Sequence, residues 1–238
     1  FLDLLEVLSL QPREVNLVFS SFTISGETDE ADELINSIQR AFALTFQSLS
    51  NQSKFSIKVV PESRLHPMPH APAVSSAGGF TSMYLSFCDY YGLSSNSALC
   101  WDMDNLYTVN KKFDLNQLFA EEVLSISSPQ DLMPIFGSLF YNRWFTTLSI
   151  RDCKLNNIIS SLVDVLFKVG LGDKQFEAVF GAMCSNTHCS ITQIDIPDNE
   201  LDEKSMSSLG KYLALAAAKN GVTRLNISHT CMSNMRAL

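Results

Sequence analysis

Three segments in the second half of the chain share one spacing of apolar residues. In residues 145–155, 191–201 and 222–232, apolar side chains occupy the first, fourth, sixth and eleventh positions. The ninth position holds a residue that can hydrogen-bond to the main chain: Cys153, Asn199 or Thr230. Two inward-facing residues with one residue between them predict a short strand. The ninth residue marks the point where the chain turns away from that strand. Units of this kind bury their apolar side chains only by stacking on one another.

This spacing is that of the leucine-rich repeat, in which each parallel strand is followed by a helix. We therefore expect residues 143–238 to form an α/β repeat solenoid of the ribonuclease-inhibitor type. After the second segment, Asp202 is suited to cap a helix with Met206, Leu209 and Leu213 on its inner side, and Gly221 to end it. We expect Leu148, Ile150, Ile194, Ile196, Leu225 and Ile227 to be buried on neighbouring parallel strands.

The distance between the first two repeats is irregular. Ile194 and Leu225 are 31 residues apart, whereas Leu148 and Ile194 are 46 apart. Two helical patterns, over 157–169 and from residue 173, are joined only by Gly-Leu-Gly. A strand is therefore missing between them, and we expect a break in the sheet or a distorted coil near residues 168–173.

Three further regions precede the repeats. Residues 1–49 show alternating apolar patterns typical of two or three strands, then an acidic helix start and an amphipathic helix. Residues 50–78 are rich in Ser, Asn and Pro and indicate a linker, in which the run 55–60 fits either a strand or a surface clip. Residues 79–142 read as a helical cap on the repeats, with a strand-then-turn spacing at 112–118. We expect the aromatic side chains of this cap to form its core: Tyr84, Phe87, Tyr90, Tyr91 and Trp101.

A collinear series of motifs leads into the first repeat: residues 77–84 read AGGFTSMY, residues 101–107 read WDMDNLY and residues 141–148 read YNRWFTTL. This series resembles the N-terminal half of the CARMIL family (capping protein, Arp complex and myosin-I linker proteins). Family members show a similar series before their first clear repeat, and the match covers nearly the whole chain.

The resemblance implies what the flanking regions are. Residues 1–49 would be the C-terminal part of a pleckstrin-homology domain without its lipid-binding loop, so that only the intact parent would bind membrane phosphoinositides. The family's dimerisation helices and its capping-protein-binding tail would lie beyond Leu238, and the parent would be a homodimer. The implied location is the cytoplasm, the cytoskeleton and the inner face of the plasma membrane.

Composition and motif content argue against several other functions. The net charge of −8 and the lack of any Lys/Arg block disfavour nucleic-acid binding. The six scattered cysteines fit reduced thiols better than a disulfide framework. A zinc site usually needs two close pairs of ligands, and this sequence offers a single group: Cys184, His188 and Cys189. We expect no catalytic residue, no metal and no cofactor.

The sequence therefore predicts a non-enzymatic scaffold that regulates actin filament assembly and capping protein at the plasma membrane. Its protein-binding residues would be the exposed strand positions on the concave side of the solenoid, for which simple solvation is the competing interpretation. These positions are Thr147, Ser149, Arg151, Gln193, Asp195, Arg224, Asn226 and Ser228. The alternatives are a GTPase-activating repeat protein of the Ran-activator kind and a ribonuclease-inhibitor-like binder.

Overall fold

The computed structural model places the chain in two compact units, residues 1–75 and 76–238. The described residues are 4–47, 56–67, 75–120, 131, 133–151, 180, 183–184, 189–219 and 221–233.

The first unit is a four-stranded sheet with one long helix. The strands are β1 (Leu4–Ser9), β2 (Glu14–Phe19), β3 (Thr23–Glu27) and β4 (Ser56–Val59), and the helix is α1 (Ala31–Thr45). The order is β3-β2-β1-β4, antiparallel except for the parallel pairing of β1 with β4. The run 55–60 thus contributes a strand, and this resolves the choice left open by the sequence.

The core of this unit forms where the sheet meets the buried side of α1. Val7 and Val15 from the sheet and Ile35, Phe42 and Phe46 from the helical segment are all at most 5% exposed. Leu34 recurs with the same helical spacing on α1, but its side chain is 41% exposed.

The segment that follows β4 is fastened to the rest of the first unit by Arg64. Its guanidinium donates to the carbonyl oxygens of Ser9, Gln11, Pro12 and Val60 at 3.0–3.3 Å. It also forms an ion pair with Asp32 on α1 at 2.7 Å. Buried Asn36 joins the same segment by accepting from the His66 N–H and donating to the Arg64 carbonyl.

The second unit begins with helices and continues as a parallel sheet. Its helices are α2 (Ser76–Tyr91), α3 (Ser97–Asn105), α4 (Leu115–Ala120), α5 (Met133–Tyr141) and α6 (Glu203–Lys219). Its strands are β5 (Lys112–Asp114), β6 (Thr147–Ser149), β7 (Gln193–Asp195), β8 (Glu200–Asp202), β9 (Arg224–Asn226) and β10 (Cys231–Ser233). The sheet order is β5-β6-β7-β9, and β8 pairs separately with β10. All these pairings are parallel.

The central residues of β5, β6 and β7 in the large sheet point into one core. Phe113, Leu148 and Ile194 are in register and 0% exposed. Ile150 and Ile196 are likewise buried, as expected, and Ile227 packs against the same core. Leu225 is 38% exposed, contrary to expectation. It lies on β9, the last strand in the sheet order, which pairs with β7 on one side.

The expected break between the first two repeats does not occur in the sheet. β6 pairs directly with β7, with Leu148 opposite Ile194, so the strands close over the 46-residue interval. Short parallel strands need only main-chain hydrogen bonds to join, whatever the length of the connection. The predicted helices over 157–169 and from 173, and the coil at 168–173, lie outside the described residues.

The aromatic residues of the cap divide between core and surface. Tyr84 and Phe87 are buried as predicted, and Tyr91 packs at the edge of the core. The prediction was wrong for Tyr90 (45% exposed) and Trp101 (59% exposed). On α3 the buried side carries Leu99 and Met103, and Trp101 lies halfway between them in sequence, on the opposite side of the helix.

Candidate functional site

The side of the parallel sheet that faces away from the core carries polar residues in two rows. One row follows the first residue of each strand and the other the third, because side chains alternate along a strand. The first row is Lys112, Thr147, Gln193 and Arg224, and the second is Asp114, Ser149, Asp195 and Asn226. We call these eight positions, together with Arg151 and Ser228 just after β6 and β9, the polar strand face.

Asp114 is the most strongly bound group of this face. Lys112 Nζ lies 2.6 Å from its Oδ2, and its Oδ1 accepts from the backbone N–H groups of Asn116 and Gln117. Burial alone would raise the pKa of Asp114, but hydrogen bonds from Lys112, Gln117 and Ser149 outweigh it and hold the pKa below its ordinary value. Asp114 therefore keeps its charge, and that charge is already compensated.

The middle of the face is joined across strands by side-chain hydrogen bonds. Thr147 Oγ1 donates to Gln193 Oε1 at 3.4 Å, and Asn226 Nδ2 donates to Asp195 Oδ1 at 2.6 Å. These four side chains are half-buried. Cross-strand pairs of this kind fix the side-chain positions at the centre of the face.

The predicted site residues differ in their exposure. Arg151, Arg224 and Ser228 are exposed. Ser149, which we expected to be exposed, is only 4% exposed, and a hydrogen bond from it helps to lower the pKa of Asp114. At that exposure it offers little contact area to a partner.

Sequence reasoning found the strand-then-turn spacing at 112–118 but did not place this strand in the sheet of the repeats. Lys112 and Asp114 were assigned to the helical cap and not to the candidate site. The structure pairs this segment with β6 in the same register that β6 has with β7. A local pattern of three residues indicates a strand but not which strand it pairs with.

The turns that follow the strands are held by asparagine side chains. Asn199 is 4% exposed, and its Nδ2 donates to the carbonyl oxygens of Ile150, Ile196 and Pro197 at 2.8–3.0 Å. Asn116 Oδ1 accepts from the Arg151 N–H at 2.6 Å, and Asn116 Nδ2 donates to the Arg151 carbonyl. Asn199 therefore has the role that its position in the repeat predicted, and Asn116 fixes the main chain of Arg151.

Two of the quoted sequence motifs meet where the sheet begins. Ala77, Gly78 and Gly79 form a left-handed turn with φ of 50°, 65° and 76°. Buried Asn142 donates to the Ala77 carbonyl at 2.7 Å and accepts from the Trp144 N–H.

The same contacts position the first two strands. A Cβ on Gly78 would lie 2.7 Å from the Cβ of Trp144, so the turn needs glycine for space as well as for its φ. The Trp144 indole N–H donates to the Asn110 carbonyl just before β5, and Lys111 Nζ lies 5.0 Å from the ring centroid. AGGF and YNRW thus serve the packing of β5 against β6.

The cysteines near α6 lie in an apolar setting. Cys189 Sγ is 3.6 Å from the Tyr212 hydroxyl, and Cys184 Sγ is 3.9 Å from the Ser208 carbonyl oxygen. Burial raises the pKa of the Cys184 thiol, which favours its unreactive protonated form. His188 lies outside the described residues, and among those described no cluster of three metal-ligating side chains occurs. Within the same ranges, no helix has the length and apolarity to cross a bilayer.

Comparison with known proteins gives a consistent set of relatives. The chain is 26% identical to "Protein CARMIL" of Dictyostelium discoideum over 231 residues, which cover 90% of this chain and 21% of that protein. It is 26% identical to the human "Capping protein, Arp2/3 and myosin-I linker protein 3" over 171 residues, covering 67% of the chain and 12% of that protein. The chain is thus related to the CARMIL proteins over most of its own length but spans a small part of theirs.

A third relative has a different name. The "Rho GTPase-activating protein gacW" of Dictyostelium discoideum is 24% identical over 250 aligned residues, covering 98% of this chain and 22% of that protein. No family model matches the chain.

Proposed function

We propose that this CARMIL relative is a non-enzymatic scaffold segment of a protein that regulates actin filament assembly through capping protein. The observation that carries the proposal is the collinear similarity to proteins named for capping protein, Arp2/3 and myosin-I. In this chain the motifs AGGFTSMY and YNRWFTTL also meet in space, since Asn142 donates to the Ala77 carbonyl and Gly78 lies against Trp144.

We further propose that residues 143–238 are the first repeats of a leucine-rich-repeat solenoid. In support, β9 and β10 repeat β7 and β8 at an interval of 31 residues, in parallel and in register. Asn199 bonds to the main chain as this repeat requires. The polar strand face would then be the protein-binding surface, and residues 1–49 the C-terminal part of a pleckstrin-homology domain.

The proposed role of the whole protein concerns capped actin filaments. Capping protein would bind a tail beyond Leu238, and the present chain would contribute positioning and partner binding in the cytoplasm at the inner face of the plasma membrane. Phosphoinositide binding and homodimerisation would be properties of the intact parent.

The test is the growth of fluorescently labelled actin from filament seeds blocked with purified capping protein. The full-length parent should restore growth, and the 238-residue chain at the same concentration should leave the seeds blocked. A full-length parent that leaves growth blocked would contradict the proposal, and so would full restoration by the chain alone.

A second candidate, activation of GTP hydrolysis, is favoured by the name of one relative and by the general likeness of Ran-activator repeats. An arginine supplied in trans can raise GTP hydrolysis by roughly 10³-fold or more, and Arg151 and Arg224 are exposed. Phosphate release from GTP-loaded Ran and Rho should be unchanged by the chain under the scaffold proposal. Stimulation that Arg151→Ala or Arg224→Ala abolishes would favour the alternative.

A further inference from the structure

We propose that the polar strand face binds an extended acidic segment of a protein partner, with carboxylates held by Arg151 and Arg224. This inference rests on the proposed protein-binding role of the face and adds the chemistry of the partner. It follows from which charges of the face are already compensated and which are not.

The two acids on the face have donors within the chain. Asp114 is paired with Lys112 at 2.6 Å and accepts two backbone N–H groups, and Asp195 accepts from Asn226 at 2.6 Å. The Lys112 ammonium group is already in an ion pair with Asp114. These groups stabilise the face itself and offer little to a ligand.

The two arginines have no such partners. Arg151 and Arg224 are exposed, and none of the ion pairs among the described residues includes either guanidinium. Guanidinium groups bind carboxylates in a bidentate manner and lose less hydration than an ammonium group. Among the described residues they are thus the positive charges of the face that lack an ion-pair partner, in a chain of net charge −8, while Asp195 is hydrogen-bonded by the neutral Asn226 amide.

Both arginines are carried by ordered main chain. The Arg151 N–H donates to Asn116 Oδ1 at 2.6 Å, and its carbonyl accepts from the same side chain. Arg224 lies in β9, where its N–H donates to the Thr192 carbonyl at 3.3 Å. A partner would order only the two side chains, which lowers the entropic cost of binding.

The register of the sheet sets the spacing between the two cationic groups. Arg224 is aligned with Gln193 and Thr147, and Arg151 lies four residues beyond Thr147 on the strand two places away. With about 4.8 Å between strands and about 3.3 Å per residue, the two Cα atoms are roughly 16 Å apart on a diagonal. An extended peptide covers that distance in about five residues.

The acids between the arginines select against densely charged ligands. A nucleic acid or an anionic membrane presents closely spaced phosphates, some of which would lie against Asp114 and Asp195. Because side chains of an extended peptide alternate, carboxylates four or six residues apart face the same side, can satisfy both arginines, and leave neutral residues over Gln193 and Asp195. The face therefore fits an acidic protein segment better than a phosphate polymer or a lipid surface.

The test uses the full 238-residue chain and a fluorescein-labelled 15-residue Gly/Ser peptide with glutamates four residues apart, which face the same side of an extended peptide. Binding is followed by fluorescence anisotropy at low salt, beside the same peptide with lysine in place of each glutamate. We expect the glutamate peptide alone to bind, and we expect Arg151→Glu/Arg224→Glu to weaken it at least tenfold. The neutral variant Arg151→Gln/Arg224→Gln should weaken it by a smaller factor.

The matched control is Arg40→Glu/Lys204→Glu, which makes the same change of charge on α1 and α6 and should bind like the parent chain. Circular dichroism melts confirm that each variant is folded. Equal weakening by both glutamate pairs, binding of the lysine peptide, or no peptide binding would overturn the inference. So would anionic vesicles or an oligonucleotide that bind through the two arginines when the peptide does not. The filament-growth assay does not depend on this result, so the two proposals can fail separately.

Discussion

A single buried polar residue, Asn199, holds the turn after β7. Its Nδ2 donates to three carbonyl oxygens at 2.8–3.0 Å. One of them is that of Ile150, which follows the neighbouring strand β6. The side chain therefore joins the segments after β6 and β7 as well as shaping its own turn.

Replacement of Asn199 by alanine should lower the free energy of unfolding by about 2–3 kcal/mol. Buried carbonyl groups that lose their donor keep the full cost of desolvation. Urea unfolding of the chain measures the change. Asn226→Ala, at a half-buried position where the side chain donates to Asp195 and accepts from the exposed Ser228 N–H, should cost under about 1 kcal/mol. Equal losses for the two variants would contradict this view of Asn199.

A stabilising substitution is expected 31 residues later, at Thr230, the position equivalent to Asn199. This residue takes the place of Asn199 in its repeat, and its hydroxyl oxygen is buried without a hydrogen-bond partner in the structure. Thr230→Asn should raise the free energy of unfolding by about 1 kcal/mol, because the longer amide can reach the carbonyls at the turn. A lower melting temperature for Thr230→Asn would show that the turn after β9 does not follow the geometry of the turn after β7.

Gly78 is required by space and by backbone conformation. Gly78→Ala should destabilise the second unit by about 2–4 kcal/mol, since φ is +65° and the new Cβ would overlap the Cβ of Trp144. Gly210→Ala, where no atom lies within 4 Å of the added Cβ, should instead stabilise α6 by about 0.5–1 kcal/mol. Thermal melts of both variants compare them. Similar stability of the two would remove the proposed constraint on Gly78.

At the scale of elements, strand pairing overrides sequence distance. β6 and β7 pair although 46 residues separate their aligned positions, and β1 pairs with β4 across α1. Each strand is only three to six residues long, so its pairing depends on neighbouring side chains and not on its own pattern.

The attachment of residues 56–67 to the rest of the first unit should depend on Arg64. Arg64→Ala should lower the free energy of unfolding by about 2–3 kcal/mol, because four carbonyl oxygens lose a donor whose side chain is 8% exposed. Arg13→Ala is the matched control. Its ion pair with Asp29 is 64% and 82% exposed and should contribute under about 0.5 kcal/mol. Hydrogen exchange at β4 should increase in the Arg64 variant alone; unchanged exchange there would contradict the anchoring role.

At the scale of the whole molecule, the net charge of −8 disfavours binding to anionic membranes and to nucleic acids. Residues 1–75 contain nine acidic and five basic side chains, a net charge of −4. Of the basic ones, Arg13, Lys58 and Arg64 are already in ion pairs.

We therefore expect the chain not to sediment with vesicles that contain phosphatidylinositol bisphosphate at physiological salt. Anionic lipids attract clusters of free basic side chains, and the first unit has few. The full-length parent serves as the comparison, with binding expected there. Sedimentation of most of the chain with the vesicles would contradict this prediction.

The sequence by itself determined the elements whose patterns are long or repeated. The strands and helix of residues 4–45, the buried side of α2, the burial of Leu148, Ile150, Ile194 and Ile196, and the role of Asn199 all follow from local periodicity. Such patterns hold because each residue's burial depends on neighbours at fixed intervals along the same element.

The tertiary structure alone decided what depends on contacts between distant segments. It made β5 the first strand of the polar strand face, buried Ser149, and joined β6 to β7 without a break. It left Leu225 exposed at an edge and turned Trp101 outward. In each case a side chain's environment is set by which strand or helix lies beside it, and a local pattern of apolar residues does not carry that information.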